Sequence, residues 1–248
     1  LIEIKDSGKG MIRITDNGSG MDEEDARNSV LRHATSKIYQ DDDLFAIETL
    51  GFRGEALASI AAVSLLSVIT KQKDKLEGFN LVVEGGSILS SDVIAAEKGT
   101  IIEVCNLFFN TPARKKFLKT DAVELRHIIE VVTDFALGHK EISFRLMHER
   151  HQLLNAPSVE NGNDNIASIY GVGVAKDLLE VNYQNEFVSI SGYIGKPYQA
   201  RNDKNQQVLL VNKRCVRNAE ISKAVYNGYH SLLFVNKHPV FFLQLMIN

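Results

Sequence analysis

Apolar and polar positions alternate over Leu1–Lys5 and Met11–Thr15, and the DSGKG stretch between them, Asp6–Gly10, is built of turn formers, so the chain is expected to open with a β-hairpin. The loop DNGSG, Asp16–Gly20, comes next. Asp22–Leu31 reads as a helix, because Asp22 can cap it, acidic residues fill its first turn, and Ala26, Val30 and Leu31 recur on one face. The period is lost over the polar stretch Ala34–Asp43. It returns at Glu55–Val63, an Ala-, Leu- and Ile-rich run that follows the glycine-rich turn Gly51–Gly54 and reads as a buried helix. Four strand patterns follow, Ser64–Thr70, Phe79–Glu84, Ser87–Ile94 and Thr100–Leu107.

Helical spacing governs Ala122–Leu137, where Leu125, Ile128, Ile129, Val132 and Ala136 form a stripe that fits a core face better than a partner groove. Ile142–Met147 and Gln152–Leu154 suggest a hairpin, and the polar, turn-rich stretch Pro157–Asn165 suggests a domain boundary. Beyond it come strands at Leu178–Tyr183, Phe187–Ile194, Gln207–Val211 and Val240–Ile247 and a helix at Ala219–Tyr229. The pattern thus predicts a larger α/β domain over residues 1–160 and a smaller one over 161–248.

Composition changes this picture little. With 248 residues, 44% hydrophobic and 24% charged, the chain can bury a sizeable core. No apolar run approaches the roughly 20 residues of a membrane span, and no secretory signal opens the chain, so an intracellular protein, in cytoplasm and nucleoid or in a nucleus, is expected. The chain starts at Leu1, inside a strand pattern, and reads as a piece of a longer protein. Cys105 and Cys215 are far apart and are expected to be packed thiols; neither they nor His148 and His151 have metal-ligand spacing, so no protein-only metal site is expected. Residues 163–248 carry 9 Lys+Arg against 6 Asp+Glu, and residues 1–162 carry 19 against 25. That asymmetry fits either chance or a nucleic-acid surface on an acidic protein.

Four pieces carry candidate chemistry. DNGSG puts a carboxylate at a strand end before two glycines, which lets the backbone turn tightly beside a flat ligand; alone it is equally an ordinary turn. LRHATSK, Leu31–Lys37, supplies hydroxyls and a lysine in an aperiodic segment, suited to a loop that closes over phosphates or simply to a solvated loop. GFRGEAL, Gly51–Leu57, combines a glycine-rich turn, an arginine and a helix start, so free N–H groups would face an anion. It fits neither GxxxxGK[ST] nor GxGxxG, which excludes a conventional P-loop or Rossmann site. Gly99 and Thr100 add backbone clearance and a hydroxyl at the start of a strand.

In this order and spacing the four pieces resemble the GHKL ATPases, and HATSK, GFRGEALASIA and LFFNTPARKKFL resemble the MutL family of DNA mismatch repair proteins in particular; a weaker likeness continues at VNKRCVRN, Val211–Asn218. The resemblance implies a layered, mixed-sheet ATP-binding domain followed by a ribosomal-protein-S5-like α/β domain. It implies that Asp16 holds adenine with Gly18 and Gly20 shaping the pocket, that Thr35, Ser36 and Lys37 belong to a lid, and that Gly51, Phe52, Arg53, Gly54, Glu55, Ala56 and Leu57 surround the phosphates. Glu55 is read there as structural, and Thr100 as support beside Asp16. ATP and Mg²⁺ are the implied cofactors. The family's glutamate base and magnesium-binding asparagine are expected before Leu1 and its γ-phosphate lysine beyond Asn248, so no catalytic or metal residue is assigned in this chain and it is expected to hydrolyse ATP poorly. The implied function is a nucleotide-gated dimeric clamp, homo- or heterodimeric, on mismatch-containing or single-stranded DNA, with a MutS-type mismatch-recognition partner, no membrane, and DNA contacts at Lys213, Arg214, Arg217 and Lys223. The alternative is a DNA-binding and dimerisation scaffold whose nucleotide pocket does not turn over.

Overall fold

The computed structural model describes residues 1–32 and 54–247. The opening hairpin is β1 (Ile2–Lys5) and β2 (Met11–Asp16), joined through a turn of 3₁₀ helix at Asp6–Gly8. Asp22 caps α1 (Glu23–Asn28), its Oδ1 accepting the Asp25 N–H at 2.8 Å. Next come α2 (Ala56–Ala61), β3 (Leu65–Lys71), β4 (Gly78–Glu84), β5 (Ser87–Ile94), β6 (Gly99–Cys105), the short α3 (Pro112–Lys115), α4 (Asp121–Gly138), β7 (Phe144–His148) and β8 (His151–Ala156). The first sheet runs β5-β4-β3-β6-β2-β1-β7-β8, with β1 and β7 parallel and the pairs from β5 to β1 antiparallel.

One face of that sheet makes the first core. The two-residue period of β3 and β4 puts Leu66 and Val68 beside Phe79, Leu81 and Val83, and Ala26 of α1 and Ala61 of α2 close over them. Alanine at both helix contacts lets the helices lie close to the sheet, and Ala26, Leu66, Val68 and Leu81 are fully buried.

The second unit is built on α5 (Gly162–Tyr170), α6 (Val172–Ala175), β9 (Leu178–Gln184), β10 (Val188–Gly195), β11 (Gln207–Val211), β12 (Arg214–Cys215), α7 (Ala219–Tyr229) and β13 (Phe241–Ile247). Its sheet runs β12-β11-β13-β10-β9, with β11 and β13 parallel. Val208, Leu210 and Phe242 face Ile166, Ala175 and Leu137 on one side, while Leu209, Phe241 and Leu243 face Ile221 and Val225 of α7 on the other. Helices thus cover both faces of the sheet.

The mixed α/β class expected from the sequence is the one observed, and among the described residues every strand except β12, together with α7, falls where the patterns place it. The polar stretch Pro157–Asn165 is not a plain linker, because α5 starts within it: Asn161 caps the helix by accepting the Asn163 N–H at 2.8 Å, and the buried Asn165 donates to the Ala136 carbonyl at 2.9 Å. Its turn-forming residues are capping residues. Compact packing divides the chain as Leu1–Arg126 with Leu146–His151 and His127–Arg145 with Gln152–Asn248, a division that differs from a cut at residue 160, because Leu137 near the end of α4 belongs to the second core. Cys215 corrects the packed-thiol expectation: it is exposed on the two-residue β12, although its thiol bonds to Asp134 and is pushed up to about 11 by burial and by that carboxylate.

Leu81→Ala should cost about 2–5 kcal/mol, the range for truncating a fully buried leucine. Chemical denaturation of both proteins measures it; a cost below about 1 kcal/mol would contradict the packing of α1 and α2 on this sheet.

Candidate functional site

Strand pairing determines the geometry of the DNGSG loop. β2 ends at Asp16 directly opposite Thr100, the second residue of β6, and Thr100 is in turn opposite Thr70 of β3. Gly99, at φ +117°, lies so close to the end of β2 that a Cβ there would fall 2.1 Å from the Asp16 carbonyl oxygen. Gly20, at φ +71°, is pressed against β3 in the same way, 2.0 Å from the Lys71 carbonyl oxygen. Any side chain at either position would push the loop off the sheet.

The loop is also held from below. Thr70, fully buried, accepts the Met21 N–H at 2.8 Å through its hydroxyl, which stands 3.2 Å from both the Gly99 carbonyl and the Thr100 hydroxyl. One O–H thus ties the residue after DNGSG to the start of β6. Thr70 was not singled out by the sequence motifs. The available signal was a hydroxyl at a core position, in register with Leu66 and Val68, where a polar group needs a partner.

Asp16 stands exposed at the mouth of this arrangement. Its Oδ1 accepts the Gly18 N–H at 2.8 Å, which fixes the carboxylate, and no described residue bonds its other oxygen. The site therefore presents a fixed acceptor beside exposed backbone at Asn17–Ser19, fit for an N–H donor on a flat ligand.

A second group of expected residues sits at the start of α2. Gly54 turns the chain at φ +61°, Glu55 occupies the cap position without a side-chain capping bond, and the Ser59 N–H makes a 2.9 Å bond to the Glu55 carbonyl. Helix geometry leaves the N–H groups of Ala56 and Leu57 without helical partners, so they remain open to an anion. Leu57 and Met21 pack against the same core, which anchors this group and the DNGSG loop to one support. Thr35, Ser36, Lys37, Gly51, Phe52 and Arg53 lie outside the described residues.

The four basic candidates of the second unit differ in their surroundings. Lys213 sits at the tight β11–β12 turn, with Asn212 and Lys213 at φ 47° and 65°, and its ammonium pairs with Glu141 at 3.1 Å. Burial pushes the Asp134 carboxyl up, with the Cys215 thiol and the Arg217 charge opposing that rise. Arg214 is exposed on β12 and Lys223 on α7.

The model of histidine kinase-, DNA gyrase B- and HSP90-like ATPases matches residues 2–102, and the model of the DNA mismatch repair protein, C-terminal domain, matches residues 166–248. The DNA mismatch repair protein MutL of Bacillus licheniformis is 43% identical over 248 residues, an alignment that takes in 98% of this chain and 38% of that protein. The chain thus spans less than two fifths of the length of this curated relative. Among solved structures, the N-terminal domain of a DNA repair protein aligns with TM-score 0.80 and 29% identity, over 99% of this chain and 77% of the other. The Aquifex aeolicus MutL ATPase domain complexed with ADP aligns with TM-score 0.76 and 23% identity, over 100% and 83%. At that identity the likeness concerns the fold.

Thr70→Val keeps the shape of the side chain and removes its hydroxyl, leaving the Met21 N–H without its acceptor. It should destabilise the protein by about 1–3 kcal/mol, with Thr70→Ser recovering most of the loss. Denaturant midpoints of the three proteins test this, and equal stability of the valine and wild-type proteins would contradict the role given to the hydroxyl.

Proposed function

We propose, on the premise that this chain belongs to the MutL family of DNA mismatch repair proteins, that its first unit binds ATP at the Asp16–Thr100 end of the sheet and that the whole protein is a slow ATPase working as a nucleotide-gated dimeric clamp on DNA. The observation that carries the reading is the fixed Asp16 carboxylate, with Gly18 bonded to one oxygen and the other open. The open oxygen accepts the adenine amino group, while Gly20 and Gly99 keep the loop close to the sheet. Thr100 sets the position of Asp16 across the strand pair.

The phosphates lie at the turn Gly54–Glu55 and the N–H groups of Ala56 and Leu57, where the helix start favours negative charge. Glu55 is structural here rather than a phosphate ligand, since a carboxylate beside phosphate would repel it. Thr35, Ser36, Lys37, Gly51, Phe52 and Arg53 complete the site as lid and phosphate loop in this reading. Mg²⁺ accompanies the nucleotide, but among the described residues no three His, Cys, Asp or Glu side chains stand together as a metal site, so none is assigned to it. No described residue is assigned as general base.

DNA is the macromolecular partner, contacted in the second unit through Lys213, Arg214, Arg217 and Lys223, with a second, homologous or identical, subunit closing the clamp and a MutS-type protein delivering it to mismatches. Lys213 already pairs with Glu141, so phosphate has to compete for it, and the contact depends on salt through the counterions that the phosphates release. No described helix is long and apolar enough to cross a membrane.

Calorimetric titration with a non-hydrolysable ATP analogue and Mg²⁺ tests the pocket. Asp16→Ala should weaken binding roughly 10- to 150-fold, the value of a hydrogen bond to a charged group. A folded Asp16→Ala protein that binds as well as wild type would remove adenine recognition from this residue. Analogue binding with no phosphate release by the full-length protein would favour the non-catalytic scaffold.

A further inference from the structure

The segment between β6 and α4 has no part in the nucleotide pocket, yet its backbone is strained and firmly held. Asn106 and Phe108 lie at φ 53° and 65°, a conformation rare for a bulky aromatic and sustained where surrounding bonds enforce it. The bonds here come from the end of α2: the Phe108 N–H donates to the Val63 carbonyl at 2.6 Å, and the Asn110 side chain donates to the Ala62 carbonyl at 2.9 Å. From there the chain is bonded step by step, Thr111 N–H to Phe108 carbonyl at 3.1 Å, Phe117 N–H to Arg114 carbonyl at 3.0 Å, and Lys119 N–H to Glu124 Oε1 at 2.6 Å.

This held segment displays Arg114, Lys115, Lys116 and Phe117. The three cations are exposed and, among the described residues, make no ion pair. The nearby acids are engaged: Asp121 pairs with Lys9 at 2.6 Å, and Glu124 accepts the Lys119 N–H. Phe117 is 79% exposed. Three adjacent unneutralised cations call for a polyanion, and a bare ring beside them calls for a flat partner.

We propose that Arg114, Lys115, Lys116 and Phe117 form a contact for single-stranded nucleic acid, the cations meeting successive phosphates and the Phe117 ring stacking on an unpaired base. A base face is available to stack in a single strand, whereas a duplex keeps its bases stacked on one another. One aromatic in the turn just past a four-residue helix offers too little apolar area to anchor the chain on a membrane. The inference rests on the proposed function in taking DNA as the polymer, and it goes further by assigning a contact to the first unit.

The test is fluorescence anisotropy of a labelled oligo(dT) with the full chain at several salt concentrations. Five proteins are compared: wild type, the triple variant Arg114→Ala/Lys115→Ala/Lys116→Ala, Phe117→Ala, Phe117→Tyr, and Lys213→Ala/Arg214→Ala/Arg217→Ala/Lys223→Ala. Removing three phosphate contacts should lower the slope of log affinity against log salt by about 2. Phe117→Ala should weaken binding about ten-fold or more, with Phe117→Tyr restoring it. Thermal melts should be unchanged in both, since all four side chains are exposed.

If the strip variants bind as wild type while the Lys213 set loses binding, the inference falls and the proposed DNA surface stands. If the Lys213 set binds normally and the strip variants do not, the inference stands and the second-unit surface falls. No binding by folded wild type overturns both. If the strip variants keep oligonucleotide binding but lose binding to anionic phosphatidylserine vesicles, the strip is a membrane contact and the inference is overturned.

Discussion

At one end of the first sheet, three backbone segments come together more closely than any side chain allows. The approach of β6 to the end of β2 at Gly99, and of the DNGSG loop to β3 at Gly20, leaves no room for a Cβ at either glycine. Such contact exposes backbone polar groups that need partners, and the Thr70 hydroxyl meets that need by accepting the Met21 N–H beneath the loop. Because the loop is fixed, the Asp16 carboxylate is fixed, and a fixed carboxylate discriminates among ligands in a way that a swinging one cannot. Preorganisation here comes from sheet geometry and one buried oxygen.

Much of this was legible from residue types. The two glycines of DNGSG and the Gly-Thr pair signalled close backbone approach, and strand alternation located β2, β3 and β6 within a residue or two. Long periodic runs such as α4 and α7 were also plain. What stayed hidden shares one cause: it depends on tertiary partners. Thr70 is one threonine among many until β3 pairs with β6 and brings its hydroxyl to Thr100. α5 was masked because Asn161, Asn163 and Asn165, read as turn formers, serve as a cap, a first turn and a buried donor to the Ala136 carbonyl. Neither α3 nor β12 is long enough to show a period.

The charges show the same limit. Counting cations by segment pointed to the second unit, yet Lys213 among its four candidates is paired with Glu141, so formal charge overstates availability. The run at Arg114–Lys116 belongs to the half of the chain with net negative charge, and it makes no ion pair among the described residues. Net charge over a window and free charge on a surface are different quantities, and phosphate responds to the second.

α2 connects these observations. Its six residues are too few to be stable alone, so its position is set by the contacts of Ala61, Leu57 and Ile60 with the core of Leu66, Val68 and Leu81. One end begins at Gly54 and Glu55 and offers its first N–H groups to an anion. Just past the other end, the carbonyls of Ala62 and Val63 accept hydrogen bonds from the strained turn that displays Arg114–Phe117. The same short element thus stands between the turn proposed for phosphate and the turn that displays Arg114–Phe117, where the left-handed Phe108 is held by a backbone hydrogen bond rather than by its own conformational preference.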